Sequence, residues 1–208
     1  MCFRPVGLAR FLLCAVCPFI FLLTADAQVV ASGQKLTITT LNLVANFQGP
    51  DLVGLTNVLT GESYLKFPPL SALMNLEISG VPSQGLQAST WTTSVQAGTT
   101  VASLTMQDSV RSVTITAKVD SSSQEIVIKF SGVATQTGVS AAYWGIAGLD
   151  LSVGHLIVPA SSGIVIDQMH EQVGSTLQYP YDWQAQMAVY ENVGRQHGSV
   201  FYRLPVAL

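Results

Sequence analysis

Residues 113–130 carry the pattern that most restricts the fold. Val113, Ile115, Ala117 and Val119 alternate with Thr114, Thr116 and Lys118; after Asp120 and three serines, Ile126, Ile128 and Phe130 alternate with Val127 and Lys129. A period of two sends successive side chains to opposite faces, so the pair predicts an antiparallel hairpin with one buried face. Similar runs fill 35–40, 42–47, 52–59, 63–67, 86–93 and 100–106, separated by turn residues at Gly49-Pro50, Thr60-Gly61, Pro68-Pro69, 80–82 and Gly98. Many short strands with regular turns predict an all-β sandwich or barrel. Helix is expected to be scarce: 71–78 has room for one or two turns. In 182–193 Trp183, Met187 and Tyr190 have helical spacing, whereas Trp183, Ala185, Met187 and Val189 have strand spacing. The strand is preferred, because Gly194 and Gly198 bracket a polar loop before another β-rich run at 199–203, which makes a closing hairpin.

The N-terminus reads as a secretory signal peptide over residues 1–27. Arg4 and Arg10 supply a basic start, 11–23 is an apolar run, and Ala25-Asp26-Ala27 has the small residues of a cleavage site. The run is thirteen residues long and contains Pro18, too short for the roughly 20 residues of a spanning helix. No cysteine stands at the cleavage point to carry a lipid. All three cysteines (Cys2, Cys14, Cys17) lie inside this segment, so cleavage before Gln28 leaves a thiol-free chain in an oxidising compartment, secreted or periplasmic. Residues 28–208 then form the expected single β-sandwich domain, with no linker, repeat or charge block to divide it. Setting aside Arg4, Arg10 and Asp26 leaves seven basic and eleven acidic residues, a net charge of about −4. Clustered Lys and Arg are missing, which excludes a nucleic-acid partner. No membrane association is expected after signal cleavage.

Three stretches, in this order and spacing, resemble a known family. Segment 47–65 holds an Asn57-x-x-Thr60-Gly61 turn between two strands; 148–159 is a strand ending in Pro159 with Gly163 beyond; and 179–191 leads through Gly198 to Tyr202 as a late hairpin. Together they resemble the N-terminal β-sandwich, of the galactose-mutarotase-like or supersandwich type, found in secreted bacterial glycoside hydrolases related to endo-α-N-acetylgalactosaminidase. The resemblance implies a large antiparallel β-sandwich of supersandwich type, with little helix apart from the signal peptide. It also implies a non-catalytic module, because in those hydrolases the catalytic carboxylates lie on a barrel that follows the sandwich. Two accounts stay open: a product truncated before that barrel, which would be the missing partner domain, or a sandwich standing alone.

Aromatic residues give the carbohydrate-contact candidates. Tyr179, Tyr181 and Trp183 sit close together with Tyr190, and a ring with an apolar face and polar edge suits the C–H face of a pyranose. Asp182 and Gln184 add hydrogen-bonding groups for sugar hydroxyls. The alternative is that Trp183 and Tyr190 belong to the core, with Tyr179-Pro180-Tyr181 an aromatic turn. Trp91 and Trp144 are expected in the core. For glycosidic cleavage, two carboxyls roughly 5 to 9.5 Å apart would be needed, and Glu171, Asp182 and Glu191 are the nominal acids. Residues 167–171 gather Asp167, His170 and Glu171 but lack paired ligand spacing, so they read as a loop after the strand 164–166. No motif selects His155, His170 or His197 as an acid–base residue. No catalytic residue, metal ligand or cofactor is therefore assigned. The expected function is an exported non-catalytic module supporting or contacting carbohydrate. The rival readings are a free-standing structural or adhesion domain of the cell envelope and a small carbohydrate-active enzyme using the acids near the C-terminus.

Overall fold

A computed structural model describes residues 27–66, 74–78, 86–144, 148–158, 164–167, 187–192, 194 and 197–202. The signal-peptide segment 1–26 lies outside them. Every regular element among the described residues is a β-strand, and all pairings are antiparallel. The all-β, antiparallel sandwich class expected from the alternation is the class observed. Among the described residues no helix is long and apolar enough to cross a membrane.

Four strands make the first sheet as a meander: β1 (Gln28–Ser32), β2 (Lys35–Thr39), β3 (Leu43–Gln48) and β4 (Asp51–Asn57). Strand β5 (Met74–Ile78) pairs away from it, with β11 (Val139–Trp144). The second sheet contains β6 (Gln87–Ala88), β7 (Thr92–Gln96), β8 (Thr99–Gln107), β9 (Arg111–Val119) and β10 (Ile126–Ala134). Its order is β10-β9-β8, with β6 and β7 both on the free side of β8. A further sheet runs β13 (Ile164–Ile166), β12 (Gly154–Val158), β14 (Met187–Asn192), β15 (His197–Tyr202).

The inward face of each central strand follows directly from the period of two. On β9, Val113, Ile115, Ala117 and Val119 are buried while their neighbours are half-exposed. Leu36 and Ile38 of β2, Ala45 and Phe47 of β3, and Leu52 and Leu55 of β4 face Ala102, Leu104 and Met106 of β8 and the β9 row in one contiguous core. Burial of this aliphatic layer against water, at roughly 25 cal/mol per Å², is the main force holding the two sheets face to face. The predicted antiparallel hairpin forms, with Val119 opposite Ile126 and Ile115 opposite Phe130. Its turn is set by Asp120, whose carboxylate accepts the Ser122 hydroxyl and the Ser122 and Ser123 N–H groups. Those bonds, led by the Ser122 hydroxyl, lower the Asp120 pKa to about 2.

Three expectations change in detail. Residues 71–78 had room for one or two helical turns, but 74–78 is strand β5, because β11 offers a backbone ladder that outweighs local helix propensity. The run 86–93 is broken between β6 and β7: the Trp91 N–H leaves the second sheet and donates to Gly33 O at 2.8 Å. Beyond β4, residues 58–60 form a turn, and the return segment carries only isolated bridges at Ser63 and Leu65. Phe67 lies outside the described residues, as does the side chain of Trp144.

Trp91 is the expected core tryptophan, 4% exposed. Its ring tilts against Phe47 with centroids 6.0 Å apart, and its indole Nε1–H donates to Gly49 O at 2.9 Å. Gln34 Nε2 donates to Ser89 O at 2.6 Å and Gly49 N–H to Gln34 O at 2.7 Å. Two hairpin turns of the first sheet are thus stitched to the strand break of the second. Replacing Trp91 with Ala should cost about 3–5 kcal/mol, and Trp91→Phe, which keeps a ring but strands the Gly49 carbonyl, about 1–3 kcal/mol. Denaturant titration of the three proteins checks both values and their order.

Candidate functional site: the Tyr64–Tyr190 junction

The described polar groups converge where the loop after β4 meets β12 and β14. Asn57 ends β4 and folds the chain back on itself. Its side-chain oxygen accepts the N–H groups of Leu59 (2.8 Å) and Thr60 (3.1 Å), its carbonyl accepts Gly61 N–H at 2.9 Å, and Gly61 takes a left-handed φ of 69°. This is an Asx-type turn built by the residues of the Asn57-x-x-Thr60-Gly61 pattern. The return segment then places Tyr64 by backbone bonds on both sides: Tyr64 N–H to Leu55 O at 2.8 Å, and Asp150 N–H to Tyr64 O at 2.9 Å.

Tyr64 and Tyr190 are both completely buried, their rings 5.4 Å apart and inclined at 57°. An aromatic pair at that separation adds about 0.5–1.5 kcal/mol beyond its buried area, provided each phenol finds a polar partner. Tyr190 donates its hydroxyl to Asp150 O at 2.7 Å, and Asn57 Nδ2 donates to the Tyr64 hydroxyl oxygen at 2.8 Å. Buried Asn192, two residues along β14, donates to Glu62 Oε1 and accepts Gly194 N–H at 3.0 Å. Gly154 makes room for the ring: it lies opposite Asn192 in the β12–β14 ladder, and a Cβ there would come within 2.6 Å of the Tyr190 Cζ and hydroxyl.

Charge surrounds the pair without replacing these bonds. Burial opposes ionisation of Asp150, yet the Ser152 hydroxyl and N–H and the Lys66 ammonium, 3.8 Å away, outweigh it and hold the carboxyl below its usual range. A carboxyl so held is ionised at neutral pH and suits an acceptor rather than a proton donor. Burial pushes the Tyr190 phenol up to about 12, reinforced by the negative charges of Asp150 and Glu62. Tyr64 is raised as well, burial first, with the Asn57 bond acting against it and Glu62 adding to it. Both phenols therefore stay protonated through the neutral range. On the opposite face of the ladder His155 and Glu191, cross-strand partners, approach to 3.3 Å.

Of the residues singled out from sequence, Tyr190 belongs to the core, and Glu191 points to the half-exposed His155 side. Tyr179, Tyr181, Asp182, Trp183 and Gln184 lie outside the described residues, as do Glu171 and His170. Asp167 follows β13 directly. Among the described residues no group of three His, Cys, Asp or Glu is placed to hold a metal ion. Sequence reasoning did not single out Glu62, Tyr64, Asp150 or Asn192. Only the Asn57 turn pointed toward them, since Asn192 and Glu62 are 130 positions apart. No protein-family model, curated protein or solved structure matches the chain.

The raised phenol makes the junction sensitive to alkali. A group whose pKa rises from 10 unfolded to about 12 folded stabilises the fold fully below pH 10 and loses that contribution as pH climbs through 12. Spectrophotometric titration should show a late phenolate step absent from Tyr190→Phe. In Gly154→Ala, whose added methyl displaces the ring, that step should move back toward 10 and the thermal midpoint should fall.

Proposed function

We propose that the chain is an exported, non-catalytic β-sandwich module of a glycoside-hydrolase-like protein, supporting or contacting carbohydrate. The observation that carries this reading is the Asn57–Gly61 turn. This turn, one of the three stretches that carry the resemblance, forms a closed, hydrogen-bonded reversal at the end of β4, and its return segment leads into the core through Tyr64. The polar groups beside that segment are engaged in joining sheets: the phenols are held protonated and Asp150 ionised. A supporting role accounts for that use of half-buried acids and buried tyrosines better than proton transfer does.

Carbohydrate contact is assigned to Tyr179, Tyr181, Asp182, Trp183 and Gln184, which precede β14 in the chain. The rings offer apolar faces to a pyranose, while Asp182 and Gln184 accept and donate to its hydroxyls. Export through the 1–27 signal peptide places such a module among extracellular or periplasmic polysaccharides.

Affinity electrophoresis in gels containing individual polysaccharides tests the assignment. At least one polysaccharide should retard the protein, and Trp183→Ala should weaken that binding roughly tenfold, the equivalent of about 1.4 kcal/mol. Unretarded migration in every gel would remove carbohydrate contact from the account.

A further inference from the structure

The outer edge of β10 differs from the rest of the second sheet. Among the described residues no strand pairs with it, although β10 is matched to β9 over all nine positions without a register shift. Phe130 sits opposite Ile115, which is 1% exposed, yet Phe130 itself is 45% exposed. The apolar layer of the sandwich therefore runs past β9 onto β10, where Ile126, Ile128 and Ala134 pack against the core but stay half-buried and Phe130 is left exposed. Val133, on the other face, is 68% exposed. Natural edge strands are ordinarily blunted by several charges, a proline, a bulge or short length. Strand β10 has nine residues, no proline and a single charge, Lys129.

We infer that this edge pairs with the same edge of a second copy of the chain, β10 against β10 in antiparallel register about a two-fold axis at Phe130. The strand's own sequence selects that register. With Phe130 opposite Phe130, all nine residues are paired: Ile128 faces Gly132, Ile126 faces Ala134, Val127 faces Val133, and Lys129 faces Ser131. Apolar residues meet apolar residues or glycine on both faces, and the one charge meets a hydroxyl. A register centred on Lys129 would set two like charges directly opposite, which is destabilising. A shift by one residue in the pairing would turn one copy's core face outward. The two-fold arrangement also makes the contact isologous and closed, so it ends at a dimer rather than a fibre.

Sedimentation equilibrium of the purified protein over a concentration series reads the mass directly. The expected result is a reversible doubling, with Val95→Lys on the opposite edge strand β7 leaving the dissociation constant unchanged. Because Lys129 of one copy faces Ser131 of the other twice per dimer, Ser131→Lys should raise that constant roughly tenfold, whereas Ser131→Glu should lower it. Thermal unfolding at a concentration where every variant is monomeric separates misfolding from lost association. A monomer at all concentrations would overturn the inference, and so would equal effects of Ser131→Lys and Ser131→Glu.

Discussion

Two phenol rings sealed between sheets set a demanding condition: each must pack, and each hydroxyl must find a polar partner without water. Much of the molecule around Tyr64 and Tyr190 follows from meeting it. Asn57 both closes the turn after β4 and bonds the Tyr64 hydroxyl. Asp150 gives its backbone carbonyl to Tyr190 while its side chain is held by Ser152 and Lys66. Gly154 leaves the space that the Tyr190 ring occupies. A buried hydroxyl left without a partner costs about 1–3 kcal/mol, so these supporting residues are bound to the ring pair as a set.

The Trp91 clamp solves the same problem elsewhere. It breaks the 86–96 edge into β6 and β7, and in exchange places an indole in the core with its N–H on Gly49 O. Tyrosine and tryptophan thereby tie sheet to sheet through a large apolar body and one hydrogen bond. The low charged fraction, 10%, fits the same picture: serine, threonine and glutamine solvate the outer faces, and few charges are left to guard strand edges. The exposed side of β10 is where that economy is most visible.

Sequence periodicity exposed the parts of this fold that local pattern controls. The β9 face of Val113, Ile115, Ala117 and Val119 was legible because burial repeats every second residue, and the Asp120 turn because its side chain bonds the next N–H groups. Trp91 was legible as core, but not as a clamp, since Gly33 and Gly49 are distant in the chain. Residues 71–78 misled because Ala72, Leu73, Met74 and Glu77 favour helix, while the ladder that makes 74–78 a strand comes from β11. At the junction, Tyr190 could be read as core or as sugar contact, and its burial against Tyr64 decides for core. The Glu62–Asn192 bond left no trace in local spacing, because its two residues stand 130 positions apart in the chain.

The central physical claim is that the Tyr64–Tyr190 junction makes the β12–β15 sheet part of the same cooperative core as the sandwich. Tyr190 belongs to the contiguous cluster that contains Leu104 and Ile115, and half-buried Leu156 packs against that cluster. Native-state hydrogen exchange measures this most directly. The account predicts that the amides of β12 and β14 near Leu156 and Tyr190 open with the same free energy and denaturant dependence as those of β9, and that Tyr190→Ala lowers protection in both places. Rapid, independent exchange of β12 and β14, with β9 unaffected by the substitution, would contradict it.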